Sequence, residues 1–279
     1  MNFTIAVLQA DLSRDYATNV AKITAMVKSA AEQGAQVILP SELFAGIYFC
    51  QEEREEYFSW ALPADNHPLI LHFQKLASDL QVVLPISFFE RSHQVFYNSV
   101  AVIDADGKVL GIYRKSHIPD GPGYEEKFYF RGGNTGFRVW QTRYGRVGVG
   151  ICWDQWFPEC ARAMTLLGAE VLLYPTAIGS EPNNPELNTY PLWQRAMIGH
   201  AVCNMIPIGA ANRIGREGNQ SFYGHSFICN HRGEVIAELD DQTEGIILAQ
   251  FDRELIDRQR ASFGFFRDRR PDLYGILTE

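Results

Sequence analysis

FRVWQTRYGRVGVGICWDQWFPECARAMTLLGAEVLLY, residues Phe137–Tyr174, carries the reading of the fold. Phe137–Gln141 and Arg146–Ile151 flank a turn that ends at Gly145, which predicts a hairpin. The second of these strands runs straight into Cys152. A helix is expected around Pro158–Leu167, and the apolar run Val171–Tyr174 reads as a buried strand. The stretch therefore joins an antiparallel hairpin to a strand–helix–strand unit. A purely parallel doubly wound sheet has no need of the hairpin. Two mixed sheets packed face to face, with helices on the outside, accommodate both.

Working outward, the same mixture recurs. On the N-terminal side the chain reads strand (Phe3–Ala10), helix (Thr18–Gln33, closed by Gly34), buried strand (Val37–Leu39), helix (His67–Leu80) and strand (Val82–Phe88). A hairpin follows, Val100–Asp104 and Lys108–Tyr113 around Ala105-Asp106-Gly107. On the C-terminal side come a helix over Thr189–Cys203, a strand over Met205–Ala210, a hairpin of Gly224–Cys229 and Val235–Leu239, and a last strand, Ile246–Phe251. The halves share element order but no sequence repeat. No Pro/Ser-rich linker parts them, so residues 1–279 are expected to form one domain, with an extension from about residue 252.

With 279 residues, 46% of them apolar, the chain can bury a large core. A net charge of −8 without basic runs argues against a nucleic-acid partner and mildly favours a neutral or cationic small molecule. Cys50, Cys152, Cys160, Cys203 and Cys229 are odd in number and scattered, with no zinc-like spacing. The opening MNFTIAVLQA reads as a strand and no apolar run reaches membrane-spanning length, so the expected setting is a reducing cytoplasm without membrane contact.

Three windows hold chemistry-bearing side chains at strand ends. In Val147–Asp154 a thiol follows a strand and precedes a helix, where the dipole lowers a cysteine pKa; taken alone, the window fits a buried, inert cysteine at least as well. In Ile38–Phe44, Glu42 stands among apolar neighbours as a usable general base, or as an acid at a helix start after Ser41. In Tyr113–Pro119, Lys115 ends a hairpin strand, which is ordinary surface unless an anion sits beside it. Together they offer a nucleophile, a base and an ammonium where α/β folds concentrate function.

These windows resemble the nitrilase superfamily of carbon–nitrogen hydrolases, whose Glu-Lys-Cys centre lies in motifs like LPSE (Leu39–Glu42), YRK (Tyr113–Lys115) and GICWD (Gly150–Asp154). Longer matches, KSHIPDGPGYEEKFYF (Lys115–Phe130), TAIGSEP (Thr176–Pro182) and FRDRRPDLY (Phe266–Tyr274), are similar to its N-carbamoylputrescine amidase branch. The resemblance implies an αββα sandwich, no metal or organic cofactor, and a dimer-based homo-oligomer, possibly an octamer. It further implies hydrolysis of N-carbamoylputrescine to putrescine, ammonia and carbon dioxide, within polyamine synthesis from agmatine. Cys152 would be the nucleophile, Glu42 the base, and Lys115 with the Trp153 backbone N–H the oxyanion partners. Glu126 would be a second carboxylate beside Lys115, chosen over Glu125 because the matching pattern has the acid immediately before Lys127.

Relatives that hydrolyse carbamoyl amino acids place arginines after the Cys-Trp-Asp motif; here Gln155 and Trp156 follow Asp154. Glu181 is the expected partner for a distal ammonium. Tyr48, Tyr124 and Trp153 are expected along a methylene channel, and Thr176 and Ala177 in the pocket wall. Their ordinary alternatives are aromatic packing and a loop turn. His117 is expected to be a hydrogen-bonded structural histidine, Cys160 and Cys203 to be core, and Arg267-Asp268-Arg269-Arg270 to form salt bridges or an oligomer contact. Competing readings are an amidase for another ω-amino amide or carbamoyl compound, an inactive binding member of the fold, and a glutamine-amide channelling module. The last has no room for a fused synthetase at this length.

Overall fold

The computed structural model describes residues 2–279. Its first half runs β1 (Asn2–Gln9), α1 (Tyr16–Glu32), β2 (Val37–Leu39), α2 (Pro68–Leu80), β3 (Leu84–Ser92), β4 (Val95–Ile103), β5 (Val109–Arg114) and a single turn, α3 (Glu126–Tyr129). The second runs β6 (Val139–Thr142), β7 (Gly145–Val149), α4 (Pro158–Leu166), β8 (Val171–Pro175), α5 (Tyr190–Asn204) and β9 (Ile208–Ala211). It continues with β10 (Ile214–Glu217), β11 (Gln220–Tyr223), β12 (Phe227–Cys229), β13 (Val235–Glu238), β14 (Gly245–Asp252) and α6 (Arg253–Phe263).

One sheet has the order β13-β12-β9-β8-β7-β6. The strands β14-β1-β2 and β3-β4-β5 form its counterpart, because Ile38 N–H donates to Val83 O at 3.0 Å and Val83 N–H to Gln36 O at 2.8 Å, joining β2 to the start of β3. Both sheets are mixed. β1 pairs parallel with β2 and antiparallel with β14; β7 pairs parallel with β8 and antiparallel with β6. Ordered as β14-β1-β2-β3-β4-β5 and β6-β7-β8-β9-β12-β13, the two sheets show the same run of antiparallel and parallel neighbours, although β14 comes from the far end of the chain and β6 directly precedes β7.

The layers follow from where apolar side chains recur. Ile5, Val7, Leu39, Val100, Val102, Val149, Ile151 and Leu173 form the seam between the sheets. Alternate residues of the same strands, such as Ala6, Leu8 and Ile38, face Ile23, Val27 and Phe73 of α1 and α2. Leu172, Tyr174 and Ile208 meet Met164, Trp193 and Met197 of α4 and α5. Period-2 strands that bury both faces, covered by period-3.6 helices, give an αββα sandwich. The helix starts are locally encoded: Asp15 accepts the Thr18 N–H at 2.7 Å, and α2, α4 and α5 each carry proline in the first turn. Among the described residues no helix is long and apolar enough to cross a membrane.

The structure departs from expectation in several places, among them the starts of β9 at Ile208 and of β12 at Phe227. β4 begins at Val95, earlier than the predicted Val100, and pairs with β3 through Ser92↔Val95. The β10–β11 hairpin was not anticipated, although Gly218-Asn219 is a strong two-residue turn signal. Cys203 is exposed at the end of α5, whereas Cys160 is core as expected.

Candidate active site

The site forms where β2, β5 and β7 end. Past β2 the chain does not start a helix at Glu42. It turns instead, with Leu43 at φ 47°, in the left-handed region that a leucine rarely adopts. Leu43 N–H donates to Ser87 Oγ at 2.9 Å and Glu42 N–H to Thr176 O at 3.3 Å, so the turn is tied to both sheets. Past β5, Lys115 N–H donates to Asn98 O on β4, and Lys115 O accepts the Gly133 N–H at 2.7 Å. Past β7, Cys152 opens a 3-10 turn with φ 42°, a strained position of the kind found at reacting groups. Asp154 braces that turn: its carboxylate accepts the Ile151 N–H, the Tyr113 hydroxyl, and both the backbone N–H and Nδ1 of His117. His117 also stacks on Phe157 at 3.7 Å, the structural role expected of it.

The side chains converge. Lys115 Nζ donates to Glu42 Oε1 at 2.9 Å and to both oxygens of Glu126 at 2.7 and 2.8 Å, with all three residues fully buried. It is Glu126, not the partly exposed Glu125, that meets the lysine. Asn98 Nδ2, missed in the sequence, donates to the same Glu42 Oε1 at 2.6 Å. Glu42 Oε2 is buried and meets no donor among the described residues. One carboxylate oxygen is thus fixed by two donors and the other is left open to take a proton. The Cys152 Sγ lies 3.9 Å from Ala177 O.

The charge balance is set by burial. It opposes the Lys115 ammonium, but Glu126 and Glu42 outweigh it and hold the lysine well above its usual pKa. Burial pushes Glu126 up to about 7 against the pull of Lys115. The Cys152 thiol is also pushed up, first by burial and then by Glu42, with Lys115 pulling the other way. This corrects the expected lowering by a helix dipole. The turn at Cys152 is a five-residue 3-10 segment, and desolvation overrides any dipole it has. The resting thiol is neutral and needs a base.

The expected pocket residues divide. Tyr48 is fully buried and donates its hydroxyl to Glu126 Oε1 at 2.7 Å, bracing one of the two carboxylates beside Lys115. Tyr124 packs 6.0 Å from it, and the Tyr124 oxygen accepts N–H donors from Gly179 at 2.9 Å and Gln220 at 2.6 Å. Thr176 is buried and donates its hydroxyl to Gln155 Oε1 at 3.0 Å, turning Gln155 toward the loop after β8. Trp153 is exposed, and Glu181, on that loop, is partly buried. Burial pushes the Tyr124 and Tyr223 phenols up, and both also feel Glu181 and Cys152.

The carbon–nitrogen hydrolase family model matches residues 4–261. The chain belongs to this family. Within it, the carbon–nitrogen hydrolase chain is 55% identical to an N-carbamoylputrescine amidase of Arabidopsis thaliana over 98% of its own length and 94% of the relative's. It is 50% identical to a citrullinase of Francisella tularensis, over 99% and 98%. A carbon–nitrogen hydrolase structure from Helicobacter pylori superposes with a TM-score of 0.94 at 35% identity, covering 100% of this chain and 99% of that one.

Proposed function

We propose that the chain hydrolyses N-carbamoylputrescine to putrescine, ammonia and carbon dioxide through an S-carbamoyl (thiocarbamate) intermediate on Cys152. Glu42 Oε2 takes the thiol proton as sulfur attacks the ureido carbon, and the carbonyl π electrons move to oxygen. The Lys115 ammonium, already fixed between two carboxylates, and the Trp153 backbone N–H hold the oxyanion. Removing one such donor costs about 2.7–4 kcal/mol of barrier. Collapse breaks a carbon–nitrogen bond, and the proton held by Glu42 goes to the departing nitrogen. Water, deprotonated by the same carboxylate, then attacks the thiocarbamate, and the proton returns from Glu42 to sulfur as the carbon–sulfur bond breaks and the thiol is regenerated. The resulting carbamic acid falls apart to carbon dioxide and the second amine. The five free cysteines suit the cytoplasmic setting expected from the sequence.

The observation that carries the substrate is the loop after β8. Ala177 touches the Cys152 sulfur, and Glu181, four residues on and within about 14 Å of extended chain, presents a carboxylate. No basic residue occupies positions 153–156. A ureide with a distal ammonium matches that polarity. Citrulline, the substrate named by the Francisella relative, shares the ureide and ammonium but adds a carboxylate, for which that motif supplies no cation.

The test is ammonia release from N-carbamoylputrescine, N-butylurea and citrulline. Wild-type protein should prefer N-carbamoylputrescine, and Cys152→Ala should release none. Glu181→Gln should lower kcat/KM for N-carbamoylputrescine by about ten- to a hundred-fold and leave N-butylurea unchanged. A preference for citrulline overturns the substrate; equal losses on both ureides remove Glu181 from the ammonium site.

A further inference from the structure

Arg213 follows β9 and is fully buried, with a guanidinium directed at the back of the site. One terminal nitrogen donates to Glu42 O at 2.7 Å and Leu43 O at 3.1 Å. The other donates to Glu217 Oε1 at 2.7 Å and Gly46 O at 3.3 Å. Glu217, four residues on and itself buried, uses its second oxygen to accept the Tyr48 N–H at 2.5 Å. Tyr48 in turn donates to Glu126. The contacts close a ring: Lys115 between Glu42 and Glu126 on one side, and Arg213–Glu217 on the other. The guanidinium lies 5.4 Å from the Phe222 ring and 6.0 Å from Tyr48.

We propose that the Arg213–Glu217 pair is a positioning device for the reaction, setting the separation of the two carboxylates that flank Lys115. The proposal rests on the reading of Glu42 and Glu126 as working carboxylates. An ion pair kept out of water is seldom the most stabilising filling for its volume, so its use here calls for something an apolar filling cannot do. What it does is grip carbonyls. Residues 42 and 43 sit in a turn that leucine disfavours, and the planar fork of arginine reaches both their carbonyls and a carboxylate at once. Lysine, a point donor on a flexible stem, cannot hold that set. The device acts on Glu42 through its own backbone and on Glu126 through Tyr48.

The variants are Arg213→Lys, Glu217→Gln, Tyr48→Phe and the Glu217→Gln/Tyr48→Phe pair. Val27→Ala, on the buried face of α1, serves as a destabilised control. The readouts are kcat and KM for N-carbamoylputrescine, the ultraviolet titration of the Cys152 thiol, and the melting temperature. Arg213→Lys and Glu217→Gln should lower kcat by about ten- to a hundred-fold with KM within about three-fold, the pattern of a misplaced catalytic group. In Arg213→Lys the Cys152 thiol should titrate lower, because Glu42 then stands off from it. The double variant should lose less than the product of its single losses, since Glu217 and Tyr48 act in one line. An unchanged kcat and thiol titration in folded variants overturns the proposal. So does an equal kcat loss in Val27→Ala at the same drop in melting temperature, or failure of both Arg213→Lys and Glu217→Gln to fold, which assigns the pair to structure. If wild-type protein releases no ammonia from N-carbamoylputrescine, the substrate reading falls, and the thiol titration still decides the role of the pair.

Discussion

Glu42 stands in an unusual relation to its nucleophile. It is the base that must take the thiol proton, and after burial it is the main influence holding that proton on sulfur, while Lys115 favours the thiolate. Removing its charge therefore separates two properties that normally move together. In Glu42→Gln the Cys152 thiol should titrate lower, giving more thiolate at neutral pH by ultraviolet absorbance. Ammonia release should nonetheless fall by about a hundred- to ten-thousand-fold, because nothing takes the proton in the transition state or activates water. A variant whose thiol titrates as in the wild type, or which turns over at the wild-type rate, would remove Glu42 from that position. At this scale the sequence was readable where one window holds both the residue and its reason. Glu42, Lys115 and Cys152 each follow a strand, and pattern matching against a known motif separated Glu126 from Glu125. Asn98 and Arg213 had no such signal. Arg213 reaches Glu42 across 171 positions, and only the folded sheets bring them together.

The elements show why some polar residues hide the strand that carries them. β4 was expected to begin at Val100, and the residues just before it, Asn98 and Ser99, are polar. Both are buried, with Asn98 serving Glu42 and Ser99 donating to Glu90 at 2.6 Å. Strands built of aliphatic and aromatic residues alone, such as Val37–Leu39 and Val171–Tyr174, were legible almost residue for residue. The junction after β5 makes a further demand that composition alone does not reveal. Gly133 lies so close to the strand end that a Cβ there would fall 2.0 Å from Arg114 O and 2.9 Å from Lys115 O. Gly133→Ala must push the loop away from β5, breaking the bond that anchors the Lys115 carbonyl. Overpacking of this kind costs about 1–3 kcal/mol. The variant should melt at a lower temperature and lose kcat beyond what the loss of folded protein explains. Wild-type melting and turnover would show that the junction yields without moving Lys115.

At the scale of the whole molecule, the site faces inward between two sheets, while the last residues face out. Phe263, Leu273, Ile276 and Leu277 are each more than 60% exposed, a density of apolar surface that a protein rarely keeps in water. The charged residues among them pair locally, Arg267 with Asp268 at 2.7 Å and Arg270 with Asp272 at 2.6 Å. These pairs are exposed and add little stability. They leave the apolar residues uncovered. The tail also leans on α4, where Arg162 sits 4.9 Å from the Phe266 ring and, at the end of the helix, Leu166 and Leu167 are exposed. We propose that a second copy of this chain covers the tail and this end of α4, in keeping with the dimer-based oligomer that the sequence resemblance implies. The core from β1 to α6 closes without the tail, so a chain ending at Gly264 should still fold. Sedimentation velocity should find the full chain as a dimer or larger, and the shortened chain shifted toward monomer with a melting temperature that no longer rises with protein concentration. A monomeric 1–279 chain at micromolar concentration, or a shortened chain of undiminished assembly mass, would place the contact elsewhere on the molecule.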